Sequence, residues 1–178
     1  MIRLFAAIAI PAEIGEGLTR RQQGVPGARW RPTEAFHITL RFFGEIAESV
    51  ADDLDAELAR VSGEPMTLAL DGVGTFEDGG EPHAVWAGVA ENAALRRLAA
   101  RCETAARRAG LPADRRVWRP HLTLAYLRRA DPARVAAWVQ GHNLLKSPPF
   151  SVRSFGLYSS HLAGEGASYR LERSYPLG

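Results

Sequence analysis

Two short stretches carry the residues best suited to chemistry: His37-Ile38-Thr39-Leu40 and His121-Leu122-Thr123-Leu124. Histidine can give or take a proton near neutral pH. A threonine hydroxyl both donates and accepts hydrogen bonds, which suits it to the non-bridging oxygens of a phosphate. In an extended strand, residues i and i+2 point to the same face. His37 and Thr39 then share one face while Ile38 and Leu40 turn to the core, and His121 and Thr123 repeat the arrangement over Leu122 and Leu124. Two imidazoles meeting in one cleft can divide the hydrolysis of a cyclic phosphodiester. A protonated one gives its proton to the leaving alkoxide, and a neutral one takes a proton from water. This chemistry needs no metal, and neither a carboxylate nor a third histidine stands in a pattern that would complete a zinc site with His37 and His121. No metal or cofactor is expected.

The pairing raises the two stretches above isolated matches. The chain has five histidines and seven threonines, and two of the histidines carry threonine two residues on. Trp-Arg-Pro occurs at 30–32 and again at 118–120, each time shortly before a motif. The motif histidines lie 84 residues apart (121 minus 37), close to half of the 178-residue chain. This spacing suggests two related lobes. His83, His142 and His161 are expected to be solvated or structural, with His161 in a loop that could border the cleft.

The elements that must position the motifs alternate along the chain without a linker. Strands are expected at Ile2–Ile10, Phe36–Phe43, Met66–Leu70, His83–Val89, His121–Leu127, Phe150–Ser159 and Ser168–Leu177, the last two as a hairpin. Helices are expected at Ala12–Gln23, Ala47–Val61, Asn92–Ala109 and from Asp131 to about Gln140. Asp131-Pro132 supplies an N-cap followed by proline at the first helical position. Gly110 closes the third helix. The four glycines between Asp71 and Gly80 read as a loop around Phe76. The helices do not separate every strand pair, so antiparallel pairing is preferred. The expected fold is α+β, with two pseudo-symmetric lobes, each an antiparallel sheet with helices outside, and the active-site cleft between them. Residues 1–178 form one bilobal domain in this reading.

Composition sets the remaining bounds. The chain is 46% hydrophobic and 24% charged, an ordinary globular balance. No apolar run approaches the roughly 20 residues needed to cross a bilayer. Met1–Ile10 lacks the pattern of a signal peptide. A cytoplasmic, monomeric protein with no membrane partner is expected. Cys102 is the sole cysteine, which excludes an internal disulfide and multi-cysteine zinc sites. It falls on the apolar side of the third helix as a packed thiol. The net charge is only +2, yet Lys146 is the single lysine among 22 basic residues. Arginine presents a fork suited to phosphate and a flat face for stacking on bases, although an Ala- and Gly-rich chain acquires arginine through base composition as well.

With these residues in view, the chain resembles the two-histidine (2H) phosphoesterases, specifically the LigT-like RNA 2′,3′-cyclic phosphodiesterases. The resemblance runs through Arg3-Leu4-Phe5 and Pro11, Trp30, the series His37, Thr39, Leu40, Phe42, Gly44 and Glu45, Val85-Trp86, and the series Pro120, His121, Thr123, Leu124 and Ala125. It ends with Leu157, Ser159 or Ser160, Gly166 and Tyr169. It implies metal-independent opening of an RNA 2′,3′-cyclic phosphate end to a 2′-phosphate. It makes His37 the proton donor and His121 the proton acceptor, a direction the near-symmetric halves leave open. It also implies that Thr39 and Thr123 hold the phosphate and that Phe42 stacks on the terminal base. One departure stands out. The family usually has arginine five residues after the second histidine, and this chain has Tyr126. Arg128, Arg41 or Arg119 are the arginines that could supply the charge. Rival readings keep the site but change its use: a small cyclic nucleotide as substrate, reversible 2′-5′ RNA ligation, or binding of RNA ends without turnover.

Overall fold

A computed structural model describes residues 1–164 and 166–178. Among these residues, ten strands and four α-helices are arranged as two four-stranded antiparallel sheets with a small two-stranded link. In chain order the elements are β1 (Ile2–Ala9), α1 (Ala12–Leu18), β2 (Arg29–Trp30), β3 (His37–Ile46), α2 (Glu48–Ala59), β4 (Met66–Leu68), β5 (Leu70–Asp78), β6 (Glu81–Val89), α3 (Ala93–Arg108), β7 (His121–Tyr126), α4 (Pro132–His142), β8 (Phe150–Val152), β9 (Ser154–Ala163) and β10 (Gly166–Pro176). The first sheet runs β10-β9-β1-β3 and the second β2-β7-β6-β5. Each motif strand lies beside a strand that opens its half of the chain: β3 pairs with β1, and β7 with β6.

The 84-residue offset between the histidines recurs in the elements. Shifted by 84, the start of α2 at Glu48 falls on the start of α4 at Pro132, β4 falls on β8, and the start of β5 at Leu70 falls on the start of β9 at Ser154. β4 and β8 pair antiparallel about Thr67 opposite Ser151, equivalent positions of the two halves. The halves are interlaced. β5, from the first half, pairs with β6 of the second, and β9, from the second half, pairs with β1 of the first. Helix α3 likewise packs on α2 and β3 of the first lobe, while the turn after α1 is tied to α4 by Trp138 Nε1 donating to the Arg21 carbonyl at 2.8 Å. One apolar core runs through both lobes, from Leu4, Ile38 and Leu58 to Val85, Leu98 and Leu122.

Local chemistry sets the boundaries. Asn92 caps α3 by accepting from the Leu95 amide at 3.0 Å, and Asp131 caps α4 by accepting from the Ala133 amide at 3.0 Å. At the end of α3, the Gly110 and Leu111 amides fold back to the Arg107 and Ala106 carbonyls. Helix α3 buries Leu95, Leu98, Cys102 and Ala106, and burial pushes the Cys102 thiol up to about 12, the behaviour of a packed and unreactive group. Of its outward arginines, Arg96 pairs with Glu91, Arg97 with Glu64, and Arg101 donates to the Ser62 carbonyl.

Three expectations are corrected. The first helix is shorter than Ala12–Gln23, ending at Leu18 before a 3-10 turn at Thr19–Arg21. The last segment before the hairpin is split into β8 and β9. The glycine-rich Asp71–Gly80 stretch is mostly strand β5, and only its final pair turns. Gly79 and Gly80 both have positive φ, +58° and +83°, as the two-residue turn of a hairpin to β6 requires. Gly74 serves a different purpose: the Trp86 indole lies flat where a side chain at 74 would stand. Glycine composition alone does not separate a loop from a strand that accepts an aromatic ring.

Candidate active site

Within β3 and β7 the alternation holds at the motifs: Ile38, Leu40, Leu122 and Leu124 are buried at 2% exposure or less, and the intervening His37, Thr39, His121 and Thr123 retain open surface. Register extends each face. Ala9 opposes His37, Ala7 opposes Thr39 and Phe5 opposes Phe42, so these residues share one face of the first sheet. On the second sheet Gly88 opposes His121, Trp86 opposes Thr123 and Ala84 opposes Tyr126. Strict alternation would turn Phe42 and Tyr126, each five residues after its histidine, away from the motif. A register shift between Ala6 and Ala7, and another between Val85 and Trp86, inserts an extra residue in each motif strand and restores the phase.

The two histidines are held in the same way. Nδ1 of His37 donates to the Ala35 carbonyl at 2.7 Å, and Nδ1 of His121 donates to the Arg119 carbonyl at 2.7 Å. Each ring is thereby fixed in one tautomer and keeps Nε2 as its working nitrogen. Aromatic walls fix the rings further. His37 packs on Phe5 and edge-on to Tyr169, with centroids 4.8 and 5.0 Å away. His121 meets Phe76 edge-on at 4.7 Å and lies 6.2 Å from Trp86. Burial lowers the His37 pKa to about 4 against the opposing pull of the Ala35 carbonyl, and Arg31 and His121 depress it further. Burial also lowers that of His121, with the Arg119 carbonyl opposing. Strands β3 and β7 lie against each other, which brings the two histidine-bearing faces together.

Each lead-in segment crosses to the opposite motif strand. The Arg31 amide donates to the Leu124 carbonyl at 2.8 Å, and Trp118 Nε1 donates to the Thr39 carbonyl at 3.1 Å. The two Trp-Arg-Pro copies are 88 residues apart rather than 84, and they do different work. Trp30 sits on β2 and packs on Trp138, whereas Trp118 reaches β3 through its indole.

Phe42 and Tyr126 are 41% and 45% exposed, open to a ligand along the two faces. Arg128 is exposed just beyond the end of β7, as is Arg119 just before its start. Arg41 is committed elsewhere: it pairs with Glu103 and donates to the Phe42 and Pro112 carbonyls. His161 lies on β9 rather than in a loop. Its Nε2 is 2.9 Å from the buried Ser159 hydroxyl, on the face opposite Tyr158. His83 is exposed beside Phe76, and His142 contacts Arg21. Among the described residues no group of three or more His, Cys, Asp or Glu side chains is placed to hold a metal ion.

Several neighbours of the motifs escape a reading by type and spacing. Arg31 places its guanidinium 5.5 Å from the Tyr126 ring centre and 5.4 Å from that of Tyr169, and donates to the Tyr169 hydroxyl at 3.0 Å. Phe5, Phe76 and Tyr158 complete the aromatic surround. The signal for Arg31 is its position in Trp-Arg-Pro, which reads as a repeat marker until β2 is seen to pair with β7.

Comparison with known proteins agrees with this arrangement. The sequence profile of the 2′-5′ RNA ligase superfamily matches residues 11–164. The chain is 31% identical to an RNA 2′,3′-cyclic phosphodiesterase of Archaeoglobus fulgidus, over 95% of this chain and 97% of that one. It superposes on the crystal structure of Escherichia coli LigT complexed with 3′-AMP with a TM-score of 0.79 and 26% identity, covering 99% of this chain and 98% of the other. The crystal structure of TT0787 from Thermus thermophilus aligns with a TM-score of 0.81 and 25% identity, over 98% and 97%. Fold, profile and paired motifs agree: the chain belongs to the 2′-5′ RNA ligase superfamily of two-histidine phosphoesterases.

Proposed function

We propose that residues 1–178 act as one bilobal unit that hydrolyses RNA 2′,3′-cyclic phosphodiester ends to 2′-phosphomonoesters without a metal. The observation that carries this reading is the matched pair of histidines, each fixed through Nδ1 to the carbonyl two residues upstream and each keeping Nε2 for proton transfer. Relatives named as RNA 2′,3′-cyclic phosphodiesterases support the substrate class.

In the reaction, water attacks phosphorus opposite O3′ and the P–O3′ bond breaks. His121 Nε2 takes a proton from the water, and His37 Nε2 gives one to O3′. Thr39 and Thr123 hold the non-bridging oxygens. The leaving O3′ stays attached to the nucleoside, so the proton donor belongs on the nucleoside side of phosphorus. Of the two exposed aromatics, Tyr126 lies against the Arg31 guanidinium, so Phe42, on the face of His37, is the one suited to stack on the base, which favours His37 as donor. Burial keeps both imidazoles neutral at pH 7 before substrate binds. An arriving phosphate anion favours the imidazolium form, so the donor takes up a proton from solvent as the substrate binds. The unit is proposed to work as a cytoplasmic monomer, and no helix among the described residues is long and apolar enough to cross a membrane.

The test is an oligonucleotide ending in a 2′,3′-cyclic phosphate, incubated with excess EDTA. The wild-type protein should release a 2′-phosphate end, and His37→Ala and His121→Ala should each lose at least about 10³-fold in rate, the upper part of the range for removal of an acid or base. Inactivity of the wild type in EDTA, or full activity in either variant, refutes the assignment.

A further inference from the structure

Arg31 is a half-buried arginine whose backbone and guanidinium are both fixed. Its amide donates to the Leu124 carbonyl at 2.8 Å, and its own carbonyl accepts from Gln22 Nε2 at 2.7 Å, which anchors the residue beside the second motif strand. Its Nη2 donates to the Tyr169 hydroxyl at 3.0 Å and to the Ala167 carbonyl at 3.4 Å. The planar group lies against the rings of Tyr126 and Tyr169. Tyr169 in turn packs edge-on to His37.

Among the described residues no carboxylate pairs with this cation, in contrast to Arg41, Arg96, Arg97 and Arg173. Two neutral tyrosines hold it without neutralising it. Its charge reaches His37, whose protonation it disfavours. A fixed, uncompensated guanidinium beside a proton-transferring imidazole is arranged for an anion, and its remaining N–H groups are free to fork onto one.

We propose that Arg31 is the substrate-binding cation that contacts the scissile phosphate, held in place by Tyr126 and Tyr169. The resemblance placed an arginine at position 126. Here that position carries a phenol, which has no cationic form and contributes no positive charge. The arginine comes instead from the residue that follows β2, the strand paired to β7 at this point, and its guanidinium lies over the Tyr126 ring. The cation has moved from one strand to its hydrogen-bonded neighbour, and Tyr126 has become its support.

This assignment rests on the hydrolytic reading above, and adenosine 2′,3′-cyclic phosphate, which carries a single phosphate, tests it most directly. Arg31→Gln should lower kcat/KM by about 10²-fold or more, the scale for removing a charged group from a developing phosphate charge. Arg31→Lys should recover part of the loss, and Arg31→Gln combined with Tyr126→Arg should recover at least about tenfold over Arg31→Gln alone, because the charge re-enters the same space from β7. Inorganic phosphate should inhibit Arg31→Gln more weakly than wild type. A change within twofold on the cyclic mononucleotide, or a loss confined to longer oligonucleotides, overturns the contact with the scissile phosphate. If the wild type fails to turn over the substrate, the hydrolytic reading fails. Calorimetric binding of inorganic phosphate to wild type and Arg31→Gln then still decides the role of Arg31: weaker binding to the variant supports it, and equal binding overturns it.

Discussion

In both motifs the imidazole gives its Nδ1 proton to a carbonyl two residues upstream, and Nε2 is left as the only nitrogen able to exchange protons with a ligand. The pKa of each lies below the ordinary histidine value of 6.5, with burial as the main cause. The sign of the consequence follows. Each imidazole takes up a proton only at more acidic pH than free histidine, so the singly protonated pair needed for acid–base division peaks below pH 6.5 in the free enzyme. The kcat/KM profile should therefore be bell-shaped with an optimum below 6.5, its two limbs belonging to the pair rather than to either residue. Bound phosphate raises both values, so the optimum of kcat should lie at higher pH than that of kcat/KM. Initial rates across pH 4–9 check this, and a kcat/KM that keeps rising above pH 7 contradicts it. At this scale type and spacing single out His37, Thr39, His121 and Thr123 as candidates, and the structure shows each pair on one face of its strand. The sequence was silent on Arg31, whose meaning depends on which strand lies beside it.

The strands place these groups through departures from regularity. Residues five after each histidine reach the motif face only because each motif strand carries a bulge, and period-two reasoning sends Phe42 and Tyr126 to the wrong side. Their place was legible only through resemblance. Strand β5 shows the opposite failure, since its glycines suggested a loop. Gly74 leaves room for the Trp86 indole, which borders His121. Gly74→Val should destabilise the protein by about 1–3 kcal/mol, as overpacking does, and should lower kcat by displacing Trp86. Thermal unfolding and steady-state rates measure both, and a variant as stable and as fast as wild type would show that the close approach of Trp86 is dispensable. Helices α3 and α4 were read more accurately than α1, because their caps are local: Asp131-Pro132 and Gly110 act within a turn of their own position.

For the whole molecule, the duplication was visible as an 84-residue offset, but the interlacing of the halves was not. Periodicity reports which residues are buried and not which strand covers them, so nothing in the sequence of β5 or β9 says that each joins the sheet founded by the other half. That exchange binds the lobes into one core and sets the two motif strands against each other, with one imidazole contributed by each lobe. Acid and base supplied from opposite lobes favour an in-line displacement in which one ring oxygen, and only one, departs. The most direct measurement is phosphorus NMR of adenosine 2′,3′-cyclic phosphate turned over in excess EDTA. The account predicts a single product resonance, that of adenosine 2′-monophosphate. A mixture of 2′- and 3′-monophosphates, or no turnover until a divalent cation is restored, would contradict it.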